Sequence, residues 1–564
     1  MNNGFVKNQR AHDLYVNKPL LKAILRVVLP SLLMTLMTGV YIFVSQVIIV
    51  RLVPISHGNT AENFNYWFGM DYATIYGLAG KDHFYDVGDV VRGATSISSP
   101  ILTIIGTSPF FIAGGASVLF TQAMGRSSKY KAEQVFKTSF WMVVILTVTE
   151  TLILLSTNKL LLTAMTSPAE QVGDPSSQLQ LYYNKVHDLQ IEMASQWTLI
   201  YSAGLIFPML AYYLAGLVKA ESKFKVVVIS SVCCNVLNIG LTCLLILVAK
   251  LDMYGGSTSA VISQAVNLSV VLIYIGYMNR KQNTWLNFGV LFKKGVAKFR
   301  TNLIAPIILI GLSAFLIDVS YAVANIFYIP ILANTAANIF DHANRNGMYF
   351  QTIEGAIMPA LNLLFITVYG IADGERLIVA YNYSLGNWKR IKKTYQYTIF
   401  ITFIYCTCAV LLVCVALGQP ILQLFGIDKS TVMFQDAYNV VLIQSLMVVV
   451  FSLQVAAMSL FMSISDIVRS NIAAIFQDTI IFFPVLGVCY GITMATGNIW
   501  ILVSTYVINA IIATILMTIY TIWWLKHRFG KIPMKTKIND VTKTLWTPVT
   551  IPRPTFIQNA LDWE

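Results

Sequence analysis

The sequence predicts an all-α polytopic membrane protein with twelve transmembrane helices, arranged as two pseudo-symmetric six-helix lobes. The first observation is composition: 56% of the 564 residues are hydrophobic, 12% are charged, and the mean hydropathy is +0.66. Soluble globular proteins carry about 25% charged residues, so a soluble enzyme, a nucleic-acid-binding protein and a disordered scaffold all fit poorly. The second and third observations are the number of long apolar segments and a basic linker that divides them equally.

Twelve segments are long and apolar enough to cross a bilayer, which requires roughly 20 residues in a helix. The predicted helices lie near residues 22–50, 95–124, 138–162, 193–218, 225–249, 257–278, 302–331, 352–385, 394–417, 436–464, 470–492 and 499–525. The predicted organisation is an N-terminal tail (1–21), an N-lobe (22–278), a linker (279–300), a C-lobe (301–525) and a C-terminal tail (526–564).

The basic residues indicate how the predicted helices are oriented. With the N-terminus inside, cytosolic segments hold 30 Lys and Arg against seven Asp and Glu, a charge of +23. The remainder holds nine against 19, a charge of −10, which together give the formal +13. Cytosolic loops of membrane proteins are enriched in Lys and Arg. The sequence therefore predicts a multi-pass protein of the cell membrane with both tails in the cytosol.

Two predicted outer loops are long. The first, at 52–94, places carboxylates among many aromatic residues. Its acidic residues are Glu62, Asp71, Asp82, Asp86 and Asp89. Two interpretations are open: the aromatics cover helix ends at the membrane interface, or the loop forms an acidic, aromatic lid that favours cations. The second loop, at 163–192, is polar and is predicted to be solvated.

Local similarities between the two halves indicate an internal repeat. FTQAMGRSSKYKA (120–132) and VAYNYSLGNWKRI (379–391) align at an offset of 259, and each joins an apolar helix end to a small-residue turn and a basic stretch. The segments 217–230 and 461–474 share a helix exit, a polar turn and a new helix start. Two such halves predict parallel repeats around an axis along the membrane normal, with a central cavity between them.

These segments resemble the MATE (multidrug and toxic compound extrusion) family, within a superfamily that includes polysaccharide and lipid flippases. The similar stretches are 114–132, 235–246, 366–393 and 461–486, and the resemblance extends over all twelve helices. It implies two V-shaped lobes and substrate export coupled to inward flow of protons or sodium ions, with no other cofactor. Ser45 and Thr242 stand where the family commonly has acidic residues, so the cation site is expected in the second half.

Six ionisable residues within predicted helices are candidates for ion coupling or substrate binding. A charge at the bilayer centre costs about 2.5–3.5 kcal/mol, so such residues are usually retained for function. The six are Glu150, Asp318, Asp373, Glu375, Arg376 and Asp478. A second set of polar residues either lines the cavity or joins helices by hydrogen bonds. This set is Ser45, Gln46, Gln122, Asn238 and Asn325.

Helical geometry separates the charges of the eighth predicted helix. Asp373 and Arg376 are three residues apart and are predicted to pair, whereas Glu375 points to another face. Glu375 is therefore the better candidate for a free carboxylate near the membrane midplane. The alternative is a purely structural network of these three residues, closed by Asp478 or Asp318. Asp318 has no basic residue in its own helix, which favours a functional role.

No enzymatic or metal-binding motif is present. The sequence contains no Walker A, GxSxG or HExxH pattern, and its seven cysteines lie in predicted helices without a CxxC pair. The predicted function is secondary active export of organic cations or other amphiphilic compounds by alternating access, coupled to H⁺ or Na⁺. The alternatives are a flippase for a lipid-linked or lipid headgroup substrate and a non-transporting scaffold. The expected partners are that substrate and membrane lipids, without nucleic acid or ATP, around a monomeric transporter.

Overall fold

The computed structural model describes residues 12–80, 84–166, 169, 177–292, 300–339, 347–427 and 429–529, which are almost wholly helical. Most of the predicted C-terminal tail, residues 293–299 of the predicted linker and Asp82 lie outside the described residues. The helices of the first half are α1 (Leu20–Leu52), α2 (Thr60–Phe68), α3 (Tyr72–Ala79), α4 (Val87–Gly125), α5 (Lys129–Met165), α6 (Gln178–Ala203), α7 (Ile206–Ala220), α8 (Phe224–Leu247) and α9 (Asp252–Arg280).

The second half repeats this all-helical arrangement after the short helix α10 (Gly289–Phe292). Its helices are α11 (Ile304–Ile339), α12 (Gly347–Ser384), α13 (Trp388–Val410), α14 (Gly418–Leu424), α15 (Val432–Ser463), α16 (Ile467–Ile475), α17 (Phe482–Thr496), α18 (Ile499–Val503) and α19 (Thr505–Phe529). A π-helical turn extends α13 to Ala416, and another joins α16 to α17.

The helices confirm the predicted fold class. Eleven of the described helical segments are long and apolar enough to span a membrane, and the pair α6–α7, bent by 55°, makes a twelfth. The prediction of a solvated loop at 163–192 is wrong in its second half, because α6 already begins at Gln178. The first turns of α6 are polar on one face, which resembles a loop in sequence, but they bury Tyr182, Tyr183 and Val186 on the other.

The described acidic residues of the first outer loop lie at the starts of helices. Asn59 and Glu62 form a capping box at α2, Asp71 caps α3, and Asp86 and Asp89 form a capping box at α4. Such caps satisfy backbone N–H groups that lack an intrahelical partner. The aromatic residues of the loop form a small core against α6, including Phe64, Phe68, Tyr72, Phe84 and Tyr182. These contacts favour the interpretation that the aromatics cover helix ends.

Matching turns in the two halves reflect the internal repeat. Ser127 and Gly386, at the predicted offset of 259, both have left-handed φ angles, of 54° and 70°. Ser222 and Ser465, which lie in the second pair of similar segments, also have left-handed φ angles, of 63° and 57°. At all four turns the backbone N–H of the left-handed residue donates a hydrogen bond to the carbonyl three residues earlier. The N–H of the next residue donates to the carbonyl five residues before it. The same turn geometry therefore follows the corresponding helices of each lobe.

The lobes meet mainly along three helix pairs, α1 with α12, α4 with α11 and α4 with α12. In the second pair the backbones touch: a Cβ on Gly115 would lie 2.0 Å from the Ile307 carbonyl oxygen, and one on Gly311 would lie 2.0 Å from the Phe111 carbonyl oxygen. Small residues permit this approach between membrane helices. We call this contact of Gly115 and Gly311 the glycine crossing.

Gly115→Ala is expected to lower the melting temperature of the purified protein in detergent. The new methyl group collides with backbone, which cannot change rotamer, and overpacking of this kind costs about 1–3 kcal/mol. Gly276→Ala is the matched control, because no atom lies within 4 Å of its added Cβ. An equal melting temperature for both variants would contradict the close contact at the glycine crossing.

The first and the last of the described residues lie at the same end of the bundle. Tyr15 packs against Tyr381 at 5.2 Å between ring centroids, and Tyr520 near the end of α19 accepts a hydrogen bond of 2.8 Å from Arg469. Gln122 of α4 connects these regions through a 3.0 Å bond to Ser465. We call this the tail end, and the opposite end, where residues 53–80 and 84–86 lie, the loop end.

Candidate functional site: a charged cavity between the lobes

A cavity of about 360 Å³ lies between the lobes. It is lined by α1, α4, α6, α7, α8 and α9 of the N-lobe and by α11, α12 and α15 of the C-lobe. Four charged side chains among the described residues line it: Lys219, Asp318, Asp373 and Arg376. Much of the remaining wall is aromatic or methionine-rich, which is typical of pockets for apolar or amphiphilic molecules.

Three of these charges form a cluster at the tail end of the cavity. Asp373 accepts a 2.6 Å bond from Arg376, as the i,i+3 spacing predicted, and a 2.8 Å bond from Lys219. Lys219 belongs to α7 in the N-lobe and Asp373 to α12 in the C-lobe, so the second bond joins the lobes. Two cations share one carboxylate, and the cluster therefore carries an excess positive charge.

Asp318 occupies a different part of the cavity wall. The Tyr369 hydroxyl donates a 2.5 Å hydrogen bond to its Oδ1. No basic side chain among the described residues forms an ion pair with Asp318, and its side chain is only half-buried because it faces the cavity. Asp318 is thus a carboxylate that a ligand or a cation can reach from the cavity.

Two further carboxylates lie in the C-lobe interior behind Asp318. Asp478 accepts a 3.2 Å bond from Gln477, and Glu354 accepts a 2.7 Å bond from Gln444. The second oxygen of each carboxylate is buried without a hydrogen-bond partner among the described residues. Asp478 lies near enough to Asp318 to interact electrostatically with it. Asp318, Glu354 and Asp478 are called the C-lobe carboxylates below.

Tyrosines connect the C-lobe carboxylates. Tyr321 and Tyr506 each interact electrostatically with both Glu354 and Asp478, and their rings are 5.9 Å apart. Tyr506 donates a 2.6 Å bond to Asn325, one of the predicted polar residues. Asn325 and Tyr321 also line a smaller pocket next to the cavity, together with Gln46. A polar route thus leads from the cavity into the C-lobe.

Two predicted carboxylates lie away from the cavity. Glu375 is fully buried inside the C-lobe, and neither of its oxygens has a hydrogen-bond partner among the described residues. Its orientation away from Asp373 agrees with the sequence, but this orientation points it at Tyr395 of α13 and not into the cavity. Glu150 lies in α5 of the N-lobe, near Ser108, and does not line the cavity either.

The predicted polar residues have mixed positions. Ser45 donates a 2.8 Å bond to Asn238, and both line the N-lobe side of the cavity with Gln46. Gln122 lies outside the cavity and bonds the Ser463 carbonyl and the Ser465 hydroxyl across the lobe interface. Gln122 therefore helps hold the lobes together at the tail end.

Lys219, Glu354 and Tyr369 belong to the site but were missed by the sequence prediction. The sequence predicts a cytosolic loop position for Lys219 because the predicted helix stops at 218, whereas α7 extends to Ala220 and keeps Lys219 7% exposed. Glu354 follows the predicted helix start at 352, which suggests an interfacial position. However, α12 begins at Gly347, and Glu354 is buried about two turns inside.

The lobes are also joined at the loop end, by two arginines of the N-lobe. Arg51 donates a 2.7 Å bond to the Leu424 carbonyl and a second bond to Gln423, and Arg92 donates a 3.0 Å bond to the Phe425 carbonyl. Arg92 also pairs with Asp89. We call these contacts the loop-end latch. The cavity is therefore bridged at both ends by contacts between the lobes.

One carboxyl group beside the loop-end latch lies just before the start of α4. Burial, and then the neighbouring Asp89 carboxylate, raise the pKa of Asp86 to about 6, while the Arg92 guanidinium acts in the opposite direction. Asp86 can therefore change its charge near neutral pH, at a position next to the latch.

Sequence comparisons identify relatives over most of the chain. An uncharacterized protein of Mycoplasmoides gallisepticum is 27% identical over 535 residues, which is 90% of this chain and 90% of that protein. An uncharacterized protein of Mycoplasma genitalium is 23% identical over 548 residues, covering 96% of this chain and 98% of that protein. The MatE family model matches residues 84–244 and 354–486, together more than half of the chain.

Solved structures share the fold. An outward-facing multidrug resistance MATE family transporter of the MOP superfamily superposes with a TM-score of 0.70 at 16% identity, covering 91% of this chain and 97% of that one. A MATE structure in complex with MaL6 gives a TM-score of 0.68 at 17% identity, covering 91% and 98%. The match to the MatE model over more than half of the chain shows that this chain belongs to the MATE family, and it is therefore a membrane transporter, not an enzyme.

Proposed function

We propose that the protein is a secondary active antiporter of the cell membrane that exports amphiphilic organic compounds, organic cations among them, by alternating access. Inward movement of H⁺ or Na⁺ supplies the free energy, and both termini lie in the cytosol, as the distribution of basic residues predicts. The family membership and the cavity bridged at both ends support this function. The observation that carries it is the group of C-lobe carboxylates.

The C-lobe carboxylates are suited to binding a coupling cation. Glu354 and Asp478 are buried, each with one oxygen unpartnered, and none of the three carboxylates has a basic partner among the described residues. An ionised carboxylate in this environment is costly, roughly 2.5–3.5 kcal/mol or more at the bilayer centre. A bound proton or sodium ion would remove much of that cost. Asp318 connects this group to the cavity, so cation and substrate can compete there.

Competition at Asp318 gives a direct coupling mechanism. A cation bound to the C-lobe carboxylates weakens substrate binding, and by thermodynamic linkage the substrate weakens cation binding by the same factor. The protein can then pass through its transport cycle with the cation bound in one direction and the substrate bound in the other. A membrane potential favours entry of the cation by about 2.3 kcal/mol per charge and 100 mV.

A flippase for a lipid-linked or lipid headgroup substrate is the second candidate. The observation that favours it is the excess positive charge of Lys219 and Arg376 over Asp373, which suits an anionic headgroup. Antiport is proposed first because a flippase does not require the unpaired carboxylates in the C-lobe.

Coupled uptake in proteoliposomes tests the antiport. Wild-type protein is expected to take up tetraphenylphosphonium when a proton or sodium gradient is imposed. Asp318→Asn, Glu354→Gln and Asp478→Asn are each expected to reduce this uptake at least about tenfold, because each removes a negative charge that the coupling cation compensates. Exchange of substrate without a gradient should be reduced less by Glu354→Gln than by Asp318→Asn, since only Asp318 lines the cavity.

Asp188→Asn is the control for this experiment. It makes the same carboxylate-to-amide change on an exposed side chain of α6, outside the cavity and the C-lobe. Wild-type uptake in all three C-lobe variants would remove the assignment of coupling to these carboxylates. Loss of gradient dependence in Asp188→Asn would show that the measurement is insensitive to position.

A further inference from the structure

The four charged residues of the cavity are arranged in two groups of opposite sign. At the tail end, Lys219 and Arg376 together exceed Asp373 by one positive charge. In another part of the wall, Asp318 accepts a hydrogen bond from Tyr369 and forms no ion pair with a described basic residue. The four charges sum to zero, so a molecule with only a cationic group would compensate Asp318 and leave the tail-end cluster uncompensated.

The tail-end cluster has unused hydrogen-bond donors. Of the Arg376 guanidinium nitrogens, Nη2 bonds Asp373, Nη1 faces the Met462 sulfur at 3.7 Å, and Nε is buried without a partner among the described residues. The Arg376 side chain is only 11% exposed. A buried guanidinium with unsatisfied donors beside a cavity is suited to an anionic oxygen ligand, because such bonds are charge-assisted.

The distance between the two groups follows from α12. Tyr369 donates the hydrogen bond to Asp318. Tyr369, Asp373 and Arg376 line the cavity at positions i, i+4 and i+7, on one face of α12. With a rise of 1.5 Å per residue, Tyr369 and Arg376 are separated by roughly 10 Å along the helix, and Tyr369 and Asp373 by roughly 6 Å.

An apolar surface lies along this row of charges. Met447, Phe451, Met458 and Met462 of α15 line the same cavity, with Phe451 against Tyr369 and Met462 against Arg376. Flexible methionine side chains accept molecules of variable shape. The wall between and beside the two charged groups is therefore suited to a hydrocarbon segment.

We propose that the cavity binds an elongated zwitterionic amphiphile, with its cationic group at Asp318 and its carboxylate, sulfonate or phosphate at Arg376 and Lys219. This inference rests on the proposed transport function and specifies its substrate class. The ligand anion competes with Asp373 for the two basic side chains. Its cation competes with the coupling ion at Asp318. A membrane phospholipid and a soluble zwitterion both carry this chemistry.

Titration calorimetry on the purified full-length protein in non-ionic detergent tests the proposal. The soluble probes are trimethylammonio carboxylates in which only the hydrocarbon spacer between the charges lengthens, together with the corresponding alkyl trimethylammonium ions without a carboxylate. Affinity is expected to pass through a maximum where the charge separation is about 6–10 Å, the distance derived from α12. At that length the zwitterion should bind about tenfold or more tightly than the matching cation.

Variants separate the two charged groups. Arg376→Gln is expected to weaken binding of the best zwitterion about tenfold or more and not to weaken binding of the plain cation, because it removes a positive charge from the cavity. Asp318→Asn should weaken both probes, and Lys225→Gln, an exposed charge change in the first turn of α8, should affect neither. Asp373→Asn removes the competing carboxylate and should tighten zwitterion binding by roughly tenfold. This gain keeps the test decisive if Arg376→Gln does not fold.

A second set of probes distinguishes the two sources of ligand. Short-chain phosphatidylcholine binding more tightly than every soluble zwitterion, with the same loss in Arg376→Gln, would identify a membrane lipid. The reverse order would identify a soluble molecule, and both results support the zwitterion site. Equal affinity for zwitterion and plain cation, or equal loss of both in Arg376→Gln, overturns it. Gradient-driven uptake of tetraphenylphosphonium tests the proposed antiport separately, so either idea can fail while the other stands.

Discussion

Asp373→Ala is expected to abolish transport and to loosen the tail end of the protein. Asp373 is the shared acceptor for Lys219 and Arg376, so its removal leaves two neighbouring cations without a partner among the described side chains. Breaking a buried ion pair by deleting one member costs about 3–5 kcal/mol, because the remaining charge stays desolvated. The state in which the tail end is closed should bear this cost, since Lys219 and Asp373 belong to different lobes.

Hydrogen–deuterium exchange measures the loosening. In Asp373→Ala, backbone amides around Ser465 and at the end of α4 should exchange faster, because Gln122 bridges these segments next to the cluster. Lys219→Met in the same chain should restore part of the protection, since it removes one of the two uncompensated cations. Wild-type exchange and transport in Asp373→Ala would show that the cluster does not hold the lobes together.

Arg92→Met is expected to loosen the opposite end. Arg92 is 8% exposed and bonds both the Phe425 carbonyl and Asp89. Its loss leaves a buried carbonyl without this donor, which costs about 1–3 kcal/mol. Exchange should increase at residues 423–427 and at the start of α4, and transport should fall. Arg51→Met is the matched control with a smaller expected effect, because Arg51 is exposed and its bonds compete with water.

The Arg92→Met variant has a pH signature. Asp86 has a raised pKa of about 6, so the folded protein binds a proton more tightly than the unfolded chain does, and stability falls as pH rises from about 4 to about 6. Loss of Arg92 raises the pKa of Asp86 further and extends this decline above pH 6. The difference in melting temperature from wild type should thus be larger well above pH 6 than below it. A constant difference across this range would exclude Asp86 from the effect.

Most of the fold could be predicted from the sequence because a membrane restricts the possible structures. A chain crossing hydrocarbon must satisfy its backbone hydrogen bonds internally, so long apolar segments are helices and their number gives the architecture. The exceptions are helix ends outside the apolar core. The first turns of α6 are polar and were predicted as loop, and α7 extends past its predicted end to include Lys219.

The candidate site was less predictable, because it depends on contacts between lobes. The Asp373–Arg376 pair follows from spacing within one helix and could be predicted, whereas the bond from Lys219 arises only when α7 meets α12. The sequence also separates Glu375 from Asp373 correctly. It does not show which face of α12 meets the cavity, since this helix is buried on most sides and also carries buried polar residues, Glu375 and Asn382, that do not line the cavity.

The glycine crossing has a consequence for motion between the lobes. Where Gly115 and Gly311 meet, backbone touches backbone and no side chain lies between the helices. A change in the angle between α4 and α11 at this point does not require a side chain between the two glycines to change its rotamer. The crossing can therefore act as the hinge point of a small rotation between the lobes, which opens one end of the cavity.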